Sequence, residues 1–473
     1  MNRRSFLQTL TAGGSLASVA AQSPAGRGHQ PTSRPNVIWL FSDQHRAQAI
    51  AANGDPNVST PNIDRYMSDG VTFGNAVSNF PLCCPFRGSL LTGRYPHHCV
   101  PGHEYSLPDN QPTIAQPFKA SGYHTAWFGK WHLSGWKERN GRAAYHIVPE
   151  HLRGGFDTWV GYENNNSQWD SWVHGGSGRE AFHYRLPGYE TDELTNLFIK
   201  HLRERSADPE RKPFFAVLSV QPPHDPYVAP EEFMHRYRPA KLEMRPNVPA
   251  SPAVQSVARR ELAGYYAMID NWDHNIGRIQ RVLDETGLAF DTHIVHFSDH
   301  GDMHGSHGMF RKTNPFEESI RIPFTIAGEQ PRYLGRANGI NDVLLNTVDI
   351  APTTLGLCGI KTPSWMEGTD LSSFRYTNRE RPSKPDSAYL QNVVPTGHAN
   401  SINKPYRGIV TQDGWKYVCF PGISWMLFNL NEDPYEQINL AHNNRYTAER
   451  KRFIGRLKQW AADTGDNFEF PES

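Results

Sequence analysis

The sequence predicts an α/β fold with a large, mostly parallel sheet flanked by helices, plus a small α+β C-terminal domain with an antiparallel sheet. Short apolar runs recur along the chain, and amphipathic helical patterns separate them. Such alternation is typical of strands that are buried on both faces between crossover helices. With 473 residues, the chain is long enough for one large core and a smaller one.

The strands of the large sheet are predicted by runs rich in β-branched and aromatic residues. The clearest are NVIWLFSD (36–43), HTAWFGK (124–130), PFFAVLSV (213–220) and HIVHFSD (293–299). The clearest helical pattern runs from Tyr265 to Leu283, where apolar residues recur at helical spacing and Gly287 is placed to end the helix. A strand follows this helix almost at once, as α/β alternation requires.

A change of sequence composition near residue 375 predicts the C-terminal domain. A charged, proline-containing linker, RYTNRERPSKPD, precedes two segments with strand and turn patterns, 406–420 and 425–441, and a helical pattern at 445–463. We therefore expect a main domain at 35–375 and an α+β subdomain at 386–473.

The N-terminus, MNRRSFLQTLTAGGSLASVAAQ, has the features of an export signal. Arg3 and Arg4 precede a weakly apolar run and small residues, as in a twin-arginine signal. We expect this signal at 1–21, a flexible segment at 22–34, the twin-arginine translocase as a partner, and a periplasmic or extracellular location. No later apolar run approaches the ~20 residues of a membrane span, so no stable membrane insertion is expected.

Composition argues against several function classes. Lys and Arg total 48 and Asp and Glu total 48, so no net charge draws the protein to nucleic acid. Five cysteines are too few for a disulfide framework in a chain of this length.

Polar residues that end the predicted strands are the first candidates for a site, because ligands of open α/β sheets bind outside the carboxyl ends of strands. Asp43 and Gln44 follow one strand, Asp299 and His300 follow another, and His224 lies just after a third. Two carboxylates at buried strand ends repel one another, and a cation would relieve that repulsion. The alternative is that both aspartates cap turns or helices.

The segment NFPLCCPFRGSLLTGRYPH places two cysteines side by side. Pro85 suits the first turn of a helix and Gly93 suits its end, so Cys83 is expected at the positive end of the helix dipole. Arg87 follows Cys83 by one helical turn. The alternative is a buried cysteine pair without chemistry.

Cys83, Pro85 and Arg87 fit the C-x-P-x-R signature of the sulfatase family, and LLTGR matches its continuation. The segments GYHTAWFGKWHL, QPPHDPY, FSDHGDMHGSHGMFRK and FNLNEDPYEQINLA also resemble sulfatase segments, in the family's order. The resemblance implies an alkaline-phosphatase-like catalytic domain at 35–375. It also implies that a cytoplasmic maturase oxidises Cys83 to formylglycine, with Cys84 at the variable position of the motif.

The same resemblance implies a metal site. Asp43, Gln44, Asp299 and His300 match the family's ligands, and the modified Cys83 contributes an oxygen. Gln44 stands where many members have a second Asp, and His300 where many have Asn. Oxygen ligands favour calcium, which we expect, whereas the imidazole admits manganese or zinc.

Further matched residues imply a sulfate-binding and proton-transfer set of Arg87, Lys130, His132, His224 and Lys312. Lys130 and His132 are two apart, so in an extended strand they would share one face. The resemblance implies that the cations bind ester oxygens. It further implies that His224 protonates the leaving alkoxide and His132 removes the proton that releases sulfate.

The expected substrate is a sulfated small molecule or glycan, hydrolysed at a sulfate monoester. Asn165, Trp169 and Trp172 lie in GYENNNSQWDSWVHGGSG, where amides and indoles suit the hydroxyls and apolar face of a sugar. A polar loop with packing tryptophans is the alternative. A related phosphonate monoester or phosphodiester hydrolase, and a non-catalytic binder of sulfated glycans in which Cys83 stays unmodified, remain competing functions.

Overall fold

A ten-stranded mixed sheet forms the centre of the part described by this computed structural model, residues 34–328, 335–398 and 401–472. The order of its strands across the sheet is β10-β2-β9-β8-β1-β7-β3-β4-β5-β6. In chain order they are β1 (Asn36–Ser42), β2 (Val71–Val77), β3 (His124–Lys130), β4 (Thr158–Tyr162), β5 (Trp172–Gly175), β6 (Phe182–Arg185), β7 (Phe214–Val220), β8 (Thr292–Ser298), β9 (Phe324–Ala327) and β10 (Gly339–Asn346).

The four strands predicted from apolar runs are confirmed as β1, β3, β7 and β8. They lie in the parallel centre of the sheet, where β8, β1, β7, β3 and β4 run in one direction. All residues of β1, β7 and β8 are buried. The predicted fold class is confirmed, with antiparallel pairings added where β9 lies between β2 and β8 and where β5 lies between β4 and β6.

Helices cover both faces of this sheet. The α-helices of the described residues are α1 (Pro61–Asp69), α2 (Cys83–Thr92), α3 (Ala115–Ala120), α4 (Glu190–Ala207), α5 (Glu231–Met234), α6 (Pro252–Thr286), α7 (Glu317–Ile320), α8 (Thr347–Leu357) and α9 (Thr447–Thr464). Helix α6 begins before the clearest pattern, at Pro252 in its first turn, and ends at Gly287, whose φ of 73° is left-handed.

Alternate residues of the central strands enter two separate cores, as the two-residue period of a strand requires. Trp39 and Phe41 pack in the core that includes residues of α2 and α8. Ile38 and Leu40 pack in the opposite core, with residues of α4 and α6. Helix α2 therefore lies on one face of β1, where the Trp39 side chain also meets Phe215 at 4.8 Å between ring centroids.

The C-terminal part forms the predicted antiparallel sheet and helix. Its strands, in spatial and chain order, are β11 (Ser387–Asn392), β12 (Tyr406–Thr411), β13 (Trp415–Phe420) and β14 (Ile423–Asn429). Helix α9 packs Phe453 and Leu457 against this sheet. The buried Lys416 Nζ of β13 lies 2.7 Å from Glu317 Oε1 of α7, so this sheet contacts the main part of the protein. The described residues belong to one compact unit that spans 32–473.

The predicted export signal at 1–21 lies outside the described residues, as does the segment 22–34 apart from its last residue. Within the part that the structure describes, no helix combines the length and apolar character needed to cross a membrane.

Replacing Gly264 of α6 by alanine tests the close packing of this helix against the segment that follows β7. A Cβ at Gly264 would stand 2.2 Å from the backbone oxygen of Tyr227, so one of the two segments would have to shift. We expect Gly264→Ala to lower the free energy of unfolding by about 1–3 kcal/mol, measured by urea denaturation.

Gly455 of α9 offers the matched control, since no described atom beyond its chain neighbours and the backbone of its own helix lies within 4 Å of the position that its Cβ would take. Gly455→Ala should raise the free energy of unfolding by roughly 0.5–1 kcal/mol, the difference in helix propensity. Similar effects of the two substitutions would contradict the packing argument.

Candidate active site

The residues predicted at strand ends converge on one edge of the sheet. Strands β1 and β8 are neighbours in a register that pairs Ser42 with Ser298, so Asp43 and Asp299 stand next to each other. Lys130 ends β3, and His224 follows β7 by four residues. The side chains of Asp43, Asp299 and Lys130 are inaccessible to solvent.

Cys83 is the first residue of α2, as predicted. Leu82 before it is extended, and Gly93 ends the helix at a φ of 64°. All residues of α2 are buried, which is unusual for a helix and fixes the Cys83 side chain against the strand ends. Its Sγ lies 3.6 Å from Asp43 Oδ1, 3.3 Å from His300 Nε2 and 3.4 Å from Lys312 Nζ.

The donor atoms of Asp43, Cys83, Asp299 and His300 lie within 4.8 Å of one another. Among the described residues, Asp299 Oδ2 finds no hydrogen-bond partner although it is buried. Burial, and then repulsion by Asp43, raise the pKa of Asp299 to about 7. An orphaned carboxylate oxygen beside a second carboxylate fits a divalent cation.

His300 is held in the orientation that a metal ligand needs. Its Nδ1 lies 3.1 Å from the backbone oxygen of Gly301, which leaves Nε2 facing the two aspartates. Burial and the nearby Lys312 lower the pKa of His300 well below its usual value, so the imidazole is neutral and has a free lone pair.

Gln44 adds an amide oxygen to the same cluster. Its backbone is left-handed, at a φ of 69°, and its Nε2 donates to Asp302 Oδ2 at 2.6 Å. Its Oε1 accepts from Lys312 Nζ at 2.8 Å. The backbone N–H groups of Gln44 and His300 both donate to Asp299 Oδ1 at 2.8 Å, which fixes that carboxylate.

Buried cations surround Asp43. Arg87 Nη2 donates to Asp43 Oδ2 at 3.1 Å, and Lys130 Nζ lies 2.9 Å from the same oxygen. Burial raises the pKa of Asp43, but attraction by the charges of Lys130, Lys312 and Arg87 outweighs it, so the pKa falls well below the usual value. Arg87 and Lys130 have further N–H groups, and these suit an anion with several oxygens.

His224 and Lys312 form a direct pair. Lys312 Nζ lies 2.8 Å from His224 Nε2, and His224 Nδ1 lies 2.8 Å from the backbone oxygen of Asp225. Burial, followed by repulsion from Lys312, lowers the pKa of His224 to about 4. Lys312 therefore holds the proton of this pair at neutral pH.

The prediction that Lys130 and His132 share one face of an extended strand is wrong, although both residues lie near the site. Strand β3 ends at Lys130, and His132 has a left-handed backbone with a φ of 58°, so the alternation of a strand does not extend to it. His132 is buried, and burial together with the charge of Lys130 lowers its pKa well below the usual value.

The three residues predicted to contact substrate have different environments in the fold. Asn165 is buried, its Nδ2 donates to Glu190, and its Oδ1 accepts the backbone N–H of Trp172, so both ends of its amide hold the loop. Trp172 is half-buried in β5. Trp169 is 46% exposed beside Tyr189 and follows Gln168, whose Nε2 donates to the backbone oxygen of His224.

The sequence argument missed two residues that support the site. Asp302 orients the Gln44 amide and accepts the Tyr227 hydroxyl at 2.6 Å. Its position in FSDHGD, three residues after Asp299, was a signal that could have found it. Ser219, which accepts from Arg87 Nη1 at 3.0 Å, carries no such signal because serine is common in strands of any role.

Comparison with known proteins assigns the family. The family model described as Sulfatase matches residues 35–360, which is more than half of the chain. The chain belongs to the sulfatase family. A second model, N-sulphoglucosamine sulphohydrolase, C-terminal, matches residues 305–463 of this sulfatase. The chain is accordingly a sulfuric ester hydrolase.

Two curated relatives cover most of the sulfatase. The ulvan-active sulfatase of Formosa agariphila is 35% identical over 449 residues, which is 93% of this chain and 83% of that protein. The endo-4-O-sulfatase of Bacteroides thetaiotaomicron is 30% identical over 469 residues, covering 87% of this chain and 89% of that protein.

A solved structure confirms the predicted alkaline-phosphatase-like fold. The Bacteroides fragilis protein assigned as the sulfatase YidJ is similar with a TM-score of 0.83 and 26% identity. The match covers 94% of this chain and 99% of that one, so both the large sheet and the C-terminal sheet belong to the shared architecture.

Substitution of Lys130 tests the buried charge cluster. Lys130→Met removes a cation from an inaccessible carboxylate, and breaking such a pair leaves a buried charge less compensated. We expect the free energy of unfolding, measured in urea with a chelator present, to fall by about 3 kcal/mol.

Lys119→Met is the matched control. Lys119 Nζ lies 2.8 Å from Asp157 Oδ1, but the lysine side chain is 43% exposed and solvent screens the pair. Its removal should change the free energy of unfolding by less than about 1 kcal/mol. Equal losses in the two variants would show that burial does not govern the Lys130 pair.

Proposed function

We propose that this sulfatase hydrolyses sulfate monoesters of a carbohydrate, with Cys83 matured to formylglycine beside a bound calcium ion. The observation that carries the proposal is the position of Cys83 Sγ, at the start of a fully buried helix and 3.3–3.6 Å from His300, Lys312 and Asp43. A reactive group at this point would face both the metal ligands and the cations.

The residues that would hold the cation are Asp43, Gln44, Asp299 and His300. When bound, a divalent cation would polarise oxygen atoms at the reacting centre and stabilise negative charge there. Three of the four side chains offer oxygen, which supports calcium, while the single imidazole keeps manganese and zinc as alternatives.

Formylglycine at Cys83 would supply an aldehyde whose hydrate offers one hydroxyl as nucleophile and a second one for release of sulfate. The thiol itself is poorly suited to attack, because burial and then Asp43 raise its pKa to about 11. A chemically altered side chain therefore fits the site better than the cysteine does.

Arg87 and Lys130 hold the sulfuryl group. Both are buried and paired with Asp43 before substrate arrives, Arg87 Nη2 at 3.1 Å and Lys130 Nζ at 2.9 Å from Asp43 Oδ2. Charges that need no reorganisation stabilise a developing anion best in a site that excludes water. These two residues account for sulfate recognition and for much of the rate enhancement.

Two histidines move protons at opposite ends of the reaction. Lys312 carries the proton that it shares with His224, so the pair delivers a proton to the departing alkoxide of the sugar. His132 is neutral because of its lowered pKa, and accepts the proton whose removal releases sulfate.

A carbohydrate is the substrate class that the relatives and the loop support. The ulvan-active relative shares 35% of its residues with this chain across most of both proteins. Beside His224, the exposed Trp169 offers an aromatic face of the kind that stacks on sugar rings. Export from the cytoplasm, predicted from the N-terminal signal, would bring the enzyme to such polymers.

Mass spectrometry of the tryptic peptide 66–87 tests the nucleophile. Conversion of the Cys83 thiol to an aldehyde should lower the peptide mass by about 18 Da, with the loss at Cys83 and not at Cys84 in fragment spectra. Cys83→Ala should lower kcat by at least about 10³-fold. An unmodified Cys83 in a fully active preparation would overturn the proposal.

Parallel assays on aryl sulfates and aryl phosphonates test the reaction class. We expect kcat/KM for the sulfate ester to exceed that for the phosphonate monoester by at least about tenfold, because an enzyme of the sulfatase family should bind the transition state of sulfuryl transfer best. The reverse preference would identify a phosphonate monoester hydrolase, and inactivity of matured enzyme on both would favour a glycan binder.

A further inference from the structure

A second group of metal-ligating side chains includes His132 of the candidate active site but shares no residue with the cluster of Asp43, Cys83, Asp299 and His300. Cys84, His103 and His132 place one donor atom each within 4.8 Å of one another. Within the described ranges, neither His103 Nδ1 nor His132 Nδ1 has a hydrogen-bond partner, although both atoms are buried. His132 as a whole is only 5% exposed.

Helix α2 and two loops bring these three residues together. Cys84 is the second residue of α2, and the backbone N–H of Glu104, next to His103, acts to lower the pKa of its thiol against the larger effect of burial. The loop that carries His103 is tied to the segment after β3 by the N–H of Leu107, which donates to the backbone oxygen of Leu133 at 2.9 Å. The rings of His103 and His132 meet edge to face at 5.8 Å.

We propose that Cys84, His103 and His132 form a binding site for a soft divalent cation of the zinc class, and that occupation of this site inhibits the enzyme. One thiolate and two imidazoles are a common ligand set for zinc, with a fourth position left for water. Donor atoms around a tetrahedral zinc are about 3.4 Å apart, from bonds of roughly 2.0–2.3 Å, so modest side-chain rotations close the site.

The two imidazoles of the free protein suit such binding, whereas burial raises the pKa of the Cys84 thiol, which must lose its proton to bind a metal. Burial, then Lys312 and Lys130, lower the pKa of His103 to about 4, so both imidazoles are neutral and can bind metal. Metal binding would replace the proton on Cys84 Sγ, which is released to solvent. Burial raises the pKa of the nearby Glu163, which is 1% exposed, to about 7, so its carboxyl group is only partly charged near neutral pH.

The charges around the site also explain its selectivity. Lys312, Lys130 and Lys137 repel any cation here, so a hard ion that binds by charge alone gains little. A zinc-class ion forms strong bonds to sulfur and nitrogen that offset this repulsion. Calcium should therefore stay at the aspartate cluster while zinc takes the cysteine and the histidines.

The inhibitory part of the proposal rests on the proposed function, because it needs His132 to accept a proton during turnover. A metal bound to His132 would occupy a nitrogen lone pair and hold the ring in place. The binding part does not depend on the reaction, and it can be tested in a protein without activity.

Cobalt titration of the full-length Cys83→Ala protein, with calcium in excess, tests binding. This substitution removes the neighbouring thiol, so a thiolate-to-cobalt absorption band must come from another cysteine. We expect a band that saturates at one equivalent, disappears in Cys83→Ala/Cys84→Ser and persists in Cys83→Ala/Cys358→Ser. Cys358 is a suitable control because its buried Sγ donates to the backbone oxygen of Pro35, a residue that belongs to neither group of metal-ligating side chains.

A missing band in Cys83→Ala, or a band that survives in Cys83→Ala/Cys84→Ser, would overturn the site. If the serine variant fails to fold by circular dichroism, Cys83→Ala/His103→Gln serves instead. That variant should weaken cobalt binding by at least about tenfold, because a direct ligand matters no less than its outer-shell partners.

Zinc inhibition of the matured enzyme, measured relative to each variant's own rate, tests the functional part. His103→Gln should raise the zinc concentration for half inhibition by at least about tenfold over the unsubstituted enzyme. Unchanged inhibition would place the zinc at the aspartate cluster and overturn the inhibitory site. Inactivity of the matured enzyme on sulfate esters would reject the proposed function but leave the cobalt result standing.

Discussion

The repulsion between Asp43 and Asp299 is the constraint around which this sulfatase is organised. Parallel pairing of β1 with β8 forces the two carboxylates together in a place without water. Arg87 and Lys130 offset the charge of Asp43, while backbone N–H groups hold one oxygen of Asp299 and leave the other unpaired. The cluster is stable only because strands, helix α2 and cations meet at one point.

In the same cluster, hydrogen bonds orient the side chains whose polar atoms face the centre of the site. Asp302 holds the nitrogen of the Gln44 amide, so the oxygen of that amide turns toward Lys312. Gly301 does the same for His300, whose Nε2 turns inward. Each reactive atom is thus directed by a hydrogen bond on its far side, and binding of an anion requires little rearrangement.

Strands and the helix of Cys83 could be predicted because their signals are local: continuous apolar runs, a proline in the first turn and a glycine at the end. The place of His132 could not, because its left-handed backbone follows from packing and not from residue type. Asn165 looked like a sugar ligand in sequence, yet its amide bonds to Glu190, a partner 25 residues away. Contacts of that range leave no local pattern.

If Cys83 is oxidised as proposed, the complete burial of α2 would set an order of events during biosynthesis. Cys83 is 2% exposed in the folded chain, so an enzyme that modifies this thiol must reach it before β1 and β8 close around it. Oxidation and folding therefore compete in time. A chain that folds early would keep its thiol permanently, and the yield of mature enzyme would depend on how slowly the parallel sheet assembles.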